Sequence, residues 1–275
     1  MLGLGTGFYK IGGDVYLGGY NNTCSVSFDG TDDYIDLEDT FQDEIRNSFS
    51  ISFWINTGTW SGNNRMILGS TDSGNENYMY IYTAAGGSAG KLAFGFKSNN
   101  AASPLRQLAT NVTFSAESEE GAGDGGTSGG WWHFALTYAQ GSGGGTGTAI
   151  LYKNGSVLAS GASGSVTGTN QDSFTASDNV YLGGRNNAGT LDGQIAMKLD
   201  DIAIFNAVLD ADAVAAIYNS GEATDLLVDD GDYDNSGDLV SYYKLNECSG
   251  TTATDAKGHS NGTLENGAAY ITDAP

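Results

Sequence analysis

The chain alternates apolar and polar residues with a period of two along most of its length. In WWHFALTY (131–138), Trp132, Phe134, Leu136 and Tyr138 fall on one face, and Trp131, His133, Ala135 and Thr137 on the other. That is the pattern of a strand in a sheet with one apolar face. After a Gly/Ser/Thr loop, AILYKNGSVLASG (149–161) predicts a second strand and an Asn154-Gly155 turn into a third. Both turn residues tolerate the positive φ of a type I′ hairpin. FSISFWIN (49–56) aims Phe49, Ile51, Phe53 and Ile55 inward and Ser50, Ser52, Trp54 and Asn56 to the opposite face. Further strands are expected at 24–30, 33–37, 178–185, 197–206 and 238–246. RMILGS, NYMYIYT and KLAFGFKS (65–70, 77–83, 91–98) form a meander with Tyr78, Tyr80 and Tyr82 on one face.

One segment has helical spacing. In LDADAVAAIYNSG (209–221), Asp210 is a natural N-cap, Val214, Ile217 and Tyr218 make an apolar stripe, and Gly221 suits the position after the helix. Many short strands with a single short helix predict an all-β fold, a two-sheet antiparallel β-sandwich or jelly roll. The first 22 residues differ: glycines punctuate Leu4, Phe8, Tyr9 and Ile11. They read either as an arm that orders on a partner through those apolar residues or as an edge strand of the same domain. The chain thus divides into an arm, 1–22, and a sandwich domain, 23–275.

Composition sharpens this. Glycine is abundant (42 residues) and proline scarce (2), while 11% aromatic residues exclude a disordered chain. The formal net charge of −22, from 33 acidic and 11 basic residues, excludes nucleic acid as a partner. The acidity fits either solubility or bound Ca²⁺, whose ligands are carboxylate and carbonyl oxygens. No apolar run is long enough to span a membrane, and the start of the chain lacks the pattern of a signal peptide, so synthesis and retention in a cytoplasm are expected. Two cysteines, Cys24 and Cys248, are expected as buried free thiols unless the fold brings them together.

Four segments, SFDGTDDYIDL (27–37), FSISFWIN (49–56), WWHFALTY…ILYKNG (131–155) and LDDIAIFNAVLDADAVAAIY (199–218), resemble the laminin-G-like jelly-roll domain of the concanavalin A-like lectin/glucanase superfamily. A fifth, LVSYYKLNECSGTTATDAKGHSNGTL (239–264), also resembles it, but in the family this piece usually begins the domain. Either the domain is circularly permuted or 239–275 starts a second, truncated domain. Permutation is favoured because 37 residues cannot bury a core alone and sandwich termini often lie close. It would also bring Cys248 near Cys24.

The superfamily includes glycoside hydrolases, whose Glu-x-Asp-x-x-Glu strand is absent here; in KLDDIAIF, strand alternation puts Asp200 and Asp201 on opposite faces. His133 and His259 have no nucleophile motif beside them. A non-enzymatic protein is expected. The resemblance implies a structural Ca²⁺ held by Asp255, Gly258 and Asn261 with Asp200 or Asp201; the alternative for the loop is a turn closed by Asx hydrogen bonds. DYDNSGDL (232–239) copies the front half of an EF-hand loop but carries Tyr243 at its twelfth position, so a polar linker is expected. For glycan binding, Trp60, Trp54 and Tyr80 are the named candidates, against core packing between sheets. The resemblance extends to phage structural proteins. The expected function is a virion structural or decoration protein, docked by its arm on capsid or tail proteins and on copies of itself, and displaying a lectin-like domain at the virion surface. The alternative is a carbohydrate-binding or adhesion module of a bacterial extracellular protein.

Overall fold

In a computed structural model, the described residues are 8–11, 14–17, 20–45, 47–57, 65–71, 78–83, 92–97, 106–109, 130–139, 147–157, 165–166 and 178–275. The strands in chain order are β1 (Phe8–Ile11), β2 (Asp14–Leu17), β3 (Ser25–Asp29), β4 (Tyr34–Asp36), β5 (Phe49–Asn56), β6 (Met66–Thr71) and β7 (Tyr78–Thr83). Then come β8 (Leu92–Lys97), β9 (Arg106–Ala109), β10 (Trp131–Ala139), β11 (Gly147–Lys153), β12 (Ser156–Val157), β13 (Ser165–Val166) and β14 (Tyr181–Leu182). The last are β15 (Arg185–Asn187), β16 (Thr190–Asp192), β17 (Ala196–Phe205), β18 (Leu239–Tyr243), β19 (Thr252–Ala253), β20 (Gly262–Glu265) and β21 (Ala269–Ile271), with helix α1 (Ala211–Tyr218) after β17.

These strands form the expected sandwich. The first sheet runs β12-β11-β10-β5-β17-β3-β21, with β18 also on β17 and β13 on β11. The second runs β19-β20-β4-β14-β6-β7-β8-β9, with β15 and β16 at its side. Pairing is antiparallel except for a short parallel contact of β15 with β6. Between the sheets lies one core to which Phe49, Ile51, Phe53, Ile55, Phe134 and Leu136 of the first sheet and Ile35, Leu68, Ile81, Phe94 and Leu182 of the second contribute. Each such side chain contributes roughly 1.5–3 kcal/mol by leaving water. Between β14 and β15, Gly183 (φ 87) lies on Phe28, and a Cβ there would come within 2.5 Å of the ring. That approach splits the segment expected as one strand at 178–185 into two.

One expectation fails instructively. The sequence pattern assigns β5 and β10 one apolar face, yet Ser50, Ser52, Trp54, His133, Ala135 and Thr137 of the opposite face are buried too. A second layer covers them. Helix α1 and residues 222–239 pack Val214, Ile217, Leu226, Tyr233 and Leu239 against Ala135, Ala203 and Phe205. Asp210 caps the helix, accepting from the Ala213 N–H at 2.8 Å. Its other end is turned by Asn219 (φ 46), not by Gly221 as expected. The Asn154-Gly155 turn forms with φ of 49° and 73°. His133 keeps a neutral ring in this layer: burial pushes its pKa down to about 3, and Ser52 Oγ lies 2.8 Å from Nε2.

The C-terminal segment belongs to the same sandwich. β18 pairs with β17, β20 with β4 and β21 with β3, so 239–271 adds strands to both sheets. β3 and β18 occupy the same edge of β17 end to end, β3 along 196–199 and β18 along 202–205. Beside this junction the chain ends are sutured. Asn246 Oδ1 accepts from the Thr23 and Cys24 N–H groups at 3.1 Å each, and its Nδ2 donates to the Asn21 carbonyl at 2.6 Å. Cys24 and Cys248, expected as free thiols, form a disulfide across 224 residues with Cα atoms 5.4 Å apart. The pairing of β17 with both chain ends brings them together. By chain entropy, closing so long a loop stabilises the fold by about 5 kcal/mol at most. Replacing both cysteines by serine is expected to lower unfolding free energy by about 2–5 kcal/mol in denaturant titration. An unchanged midpoint would mean that Asn246 and the strands alone hold the ends.

Candidate functional site

The outward face of the second sheet is built by cross-strand register. Thr263, Asp36, Tyr181, Gly69, Tyr80, Gly95 and Gln107 are directly paired, one per strand, from β20 through β4, β14, β6, β7 and β8 to β9. Their sequence neighbours Ile35, Leu182, Leu68, Ile81 and Phe94 point into the core, so the row from Asp36 to Gly95 points out. Tyr80 has glycine on both sides, and its ring lies across Gly95, where a Cβ would come within 2.5 Å of Cε2. Arg185 stands over the Tyr80 ring with its guanidinium carbon 5.6 Å from the centroid, and donates to Asp192 at 2.7 Å. Tyr82 packs edge-on against Tyr80, centroids 5.1 Å apart. Along the same row, Tyr34 and Tyr181 pack at 4.5 Å beside Asp36. Burial and the Asp36 charge push the Tyr181 phenol up to about 12, so it stays a neutral hydrogen-bond donor. Tyr34 and Tyr80, half-buried beside the buried Tyr82 and Tyr181 and near carboxylates and a guanidinium, offer an apolar platform with polar groups around it.

Of the three named glycan candidates, Tyr80 alone is placed on this face. Trp54 is 2% exposed on the covered face of the first sheet, between His133 and Tyr218 of helix α1. Trp60 lies outside the described residues, as does Leu4 of the arm. Phe8, Tyr9 and Ile11 lie on β1, which pairs with β2 in a two-stranded sheet of its own. Tyr34, Asp36, Tyr181, Arg185 and Asp192 were not singled out from sequence. Their signal, alternation with core residues in very short strands, is visible only once the pairing is known.

The residues expected to hold a cation separate into two places. Asp255 is buried, and its carboxylate accepts four backbone N–H bonds: Tyr242 and Lys257 on Oδ1 (2.9 Å each), His259 (2.9 Å) and Ser260 (3.1 Å) on Oδ2. Asn261 Oδ1 accepts from the Asp255 N–H at 3.0 Å, and Gly258 turns the chain at φ 76. The loop is therefore closed on its own backbone, and among the described residues no hydrogen bond joins it to Asp200 or Asp201.

Asp200 and Asp201 do not lie on opposite faces. A β-bulge in β17, with Asp201 at φ 47, inserts one extra residue against β5. Met197 and Leu199 before it and Ile202 and Ile204 after it all stay in the core. Both carboxylates then meet Asn22, whose Nδ2 donates to Asp200 Oδ2 at 2.6 Å and to Asp201 Oδ2 at 3.2 Å. Asp201 Oδ1 accepts from Tyr20 at 2.6 Å and from the Tyr242 hydroxyl. Asp200 Oδ1 and Asn22 Oδ1 are buried with no hydrogen-bond partner. Burial, followed by the charge of Asp201, holds the Asp200 carboxyl well above the usual range. Burial pushes Asp201 up to about 7. Two adjacent buried carboxyls need a proton or a cation between them. With the Asn22 amide turned so that Oδ1 faces the carboxylates, the donor set is oxygen throughout and fits a hard divalent ion such as Ca²⁺.

Residues 29–215, more than half of the chain, match the Laminin_G_3 family of the concanavalin A-like lectin/glucanases superfamily. The chain belongs to that family. Among solved structures, this laminin-G-type chain is similar to a proposed carbohydrate binding protein from Bacteroides ovatus ATCC 8483, with a TM-score of 0.56 and 22% identity over 92% of this chain and 61% of that one. It is also similar to the CBM40 of a Ruminococcus gnavus IT-sialidase bound to α2,3 sialyllactose, with a TM-score of 0.50 and 16% identity over 73% of this chain and 100% of that one. At these identities the likeness shows the fold. The laminin-G-type chain spans about three fifths of the length of the Bacteroides ovatus protein. No curated protein sequence matches it. No helix among the described residues is long and apolar enough to cross a membrane.

Proposed function

We propose that this domain is a non-catalytic carbohydrate-binding module that holds a glycan against the outward face of its second sheet. The observation that carries this reading is Tyr80, laid across Gly95 with the Arg185 guanidinium over its ring and Asp192 paired to that guanidinium, in one row with Tyr181 and Asp36. A pyranose presents an apolar C–H face to an aromatic ring and hydroxyls to carboxylate and guanidinium groups, which is the chemistry of that row. The two solved relatives named for carbohydrate support it. The net charge of −22 favours neutral sugars over polyanionic ones.

The Cys24–Cys248 disulfide favours a working place outside a reducing cytoplasm, as for an extracellular adhesion module. Virion display is the second reading. The separate β1–β2 hairpin supports it, because a two-stranded sheet outside the sandwich suits a docking arm. A structural Ca²⁺ is part of the proposal, at Asp200, Asp201 and Asn22 rather than at the Asp255 loop. The unpartnered oxygens Asp200 Oδ1 and Asn22 Oδ1 support that placement.

On a glycan array the full chain is expected to bind neutral saccharides. Tyr80→Ala is expected to lose at least tenfold in affinity for the best of them with its melting temperature unchanged. No array signal, or full affinity in the variant, overturns the glycan site. Chelation is expected to lower the melting temperature by several degrees, restored by Ca²⁺ in the wild type and not in Asp200→Asn. An identical melting curve in chelator, with no metal by elemental analysis, removes the ion. The virion reading requires the protein in purified particles at a fixed copy number, and its absence from them ends that reading.

A further inference from the structure

Away from both of these sites, three side chains from two stretches, the β4–β5 connection and the β19–β20 loop, meet with the donor types of a transition-metal centre. His259 Nε2 lies 3.2 Å from Asp39 Oδ2 and 3.9 Å from Glu44 Oε1. One ligand atom from each residue lies within 4.8 Å of the other two. A tetrahedral ion with bonds of about 2.0–2.2 Å sets its ligand atoms roughly 3.3–3.6 Å apart. The observed separations bracket that edge, so an ion needs only small side-chain adjustments.

Two of the three donors, His259 and Asp39, are held in advance. Asp255 Oδ2 accepts the His259 N–H, and the imidazole stacks on Phe41 at 5.7 Å and 25°. Asp39 Oδ1 accepts the Phe41 N–H at 2.7 Å, leaving Oδ2 toward the imidazole, and the Asp39 carbonyl accepts from Val180 at 2.8 Å. Phe41, fully buried, is held at φ 51, an uncommon conformation for an aromatic residue. Glu44 also lines a polar cleft of about 560 Å³ with Asn47, Asn206 and Leu239. Of the three donors, Glu44 is the one that borders this cleft.

We propose that His259, Asp39 and Glu44 bind one divalent transition-metal ion of the zinc type, with water completing its coordination. Two carboxylates and a neutral imidazole balance the charge of a divalent ion. A nitrogen donor beside carboxylates suits Zn²⁺ or Co²⁺, whereas Ca²⁺ takes oxygen alone, so this centre is distinct from the one at Asp200. The competing explanation is a plain ion pair between a protonated His259 and the two carboxylates.

Calorimetric titration of the full chain with Zn²⁺, in excess Ca²⁺ to fill any oxygen-only site, tests it. One equivalent is expected to bind with a micromolar dissociation constant, and Co²⁺ is expected to show the visible bands of a tetrahedral ion. His259→Ala is expected to weaken Zn²⁺ at least a hundredfold. Should that variant unfold, Glu44→Gln serves instead, with a tenfold or greater loss expected. No stoichiometric Zn²⁺ in the wild type, or undiminished binding in the folded variant, overturns the proposal and leaves the ion pair.

Discussion

The sandwich depends on one strand edge shared by both ends of the chain. β17 pairs with β5 along one side, while its other side is divided between β3 and β18. Two strands placed end to end leave a gap in the ladder, and the gap falls where β17 bulges at Asp201. The groups that fill it, Tyr20, Asn22 and Tyr242, come from beside the two strands that meet there. Asn246 and the Cys24–Cys248 bridge tie the same junction together. A buried pair of carboxyls is costly, and here it sits where the ends of the chain meet.

That junction sets the character of the two sheets. β18 and the stretch leading into it carry the outer layer over the first sheet, so Trp54 and His133 lie in a second core instead of on a surface. The outward face of the second sheet carries half-buried Tyr34 and Tyr80 beside buried Tyr82 and Tyr181, with charged groups around them.

The architecture was legible because period-two alternation survives along β5 and β10. β5 occupies the segment expected of it, β10 extends it by one residue, and the Asn154-Gly155 turn forms as its residues dictate. The site was legible only in part. Tyr80 stands on a strand long enough to show which residues share a face. Asp36, Tyr181 and Arg185 stand on strands of two or three residues, too short for a pattern. The Asp255 loop left a cation and an Asx-closed turn both open in the sequence, because an acidic, Gly-containing loop has the same pattern whether its carboxylate meets an ion or its own backbone, as it does here.

The sequence by itself determined the fold class, the hairpin turn, the helix N-cap at Asp210 and the acidic surface, since these follow from local pattern and composition. Only the tertiary structure decided that the cysteines pair, that both faces of the first sheet are buried, and that Asp200 and Asp201 share one partner. Strand alternation separates adjacent residues onto opposite faces. A single left-handed residue at Asp201 cancels that rule, and such a residue is placed by the strands on either side of it, here the two ends of the chain.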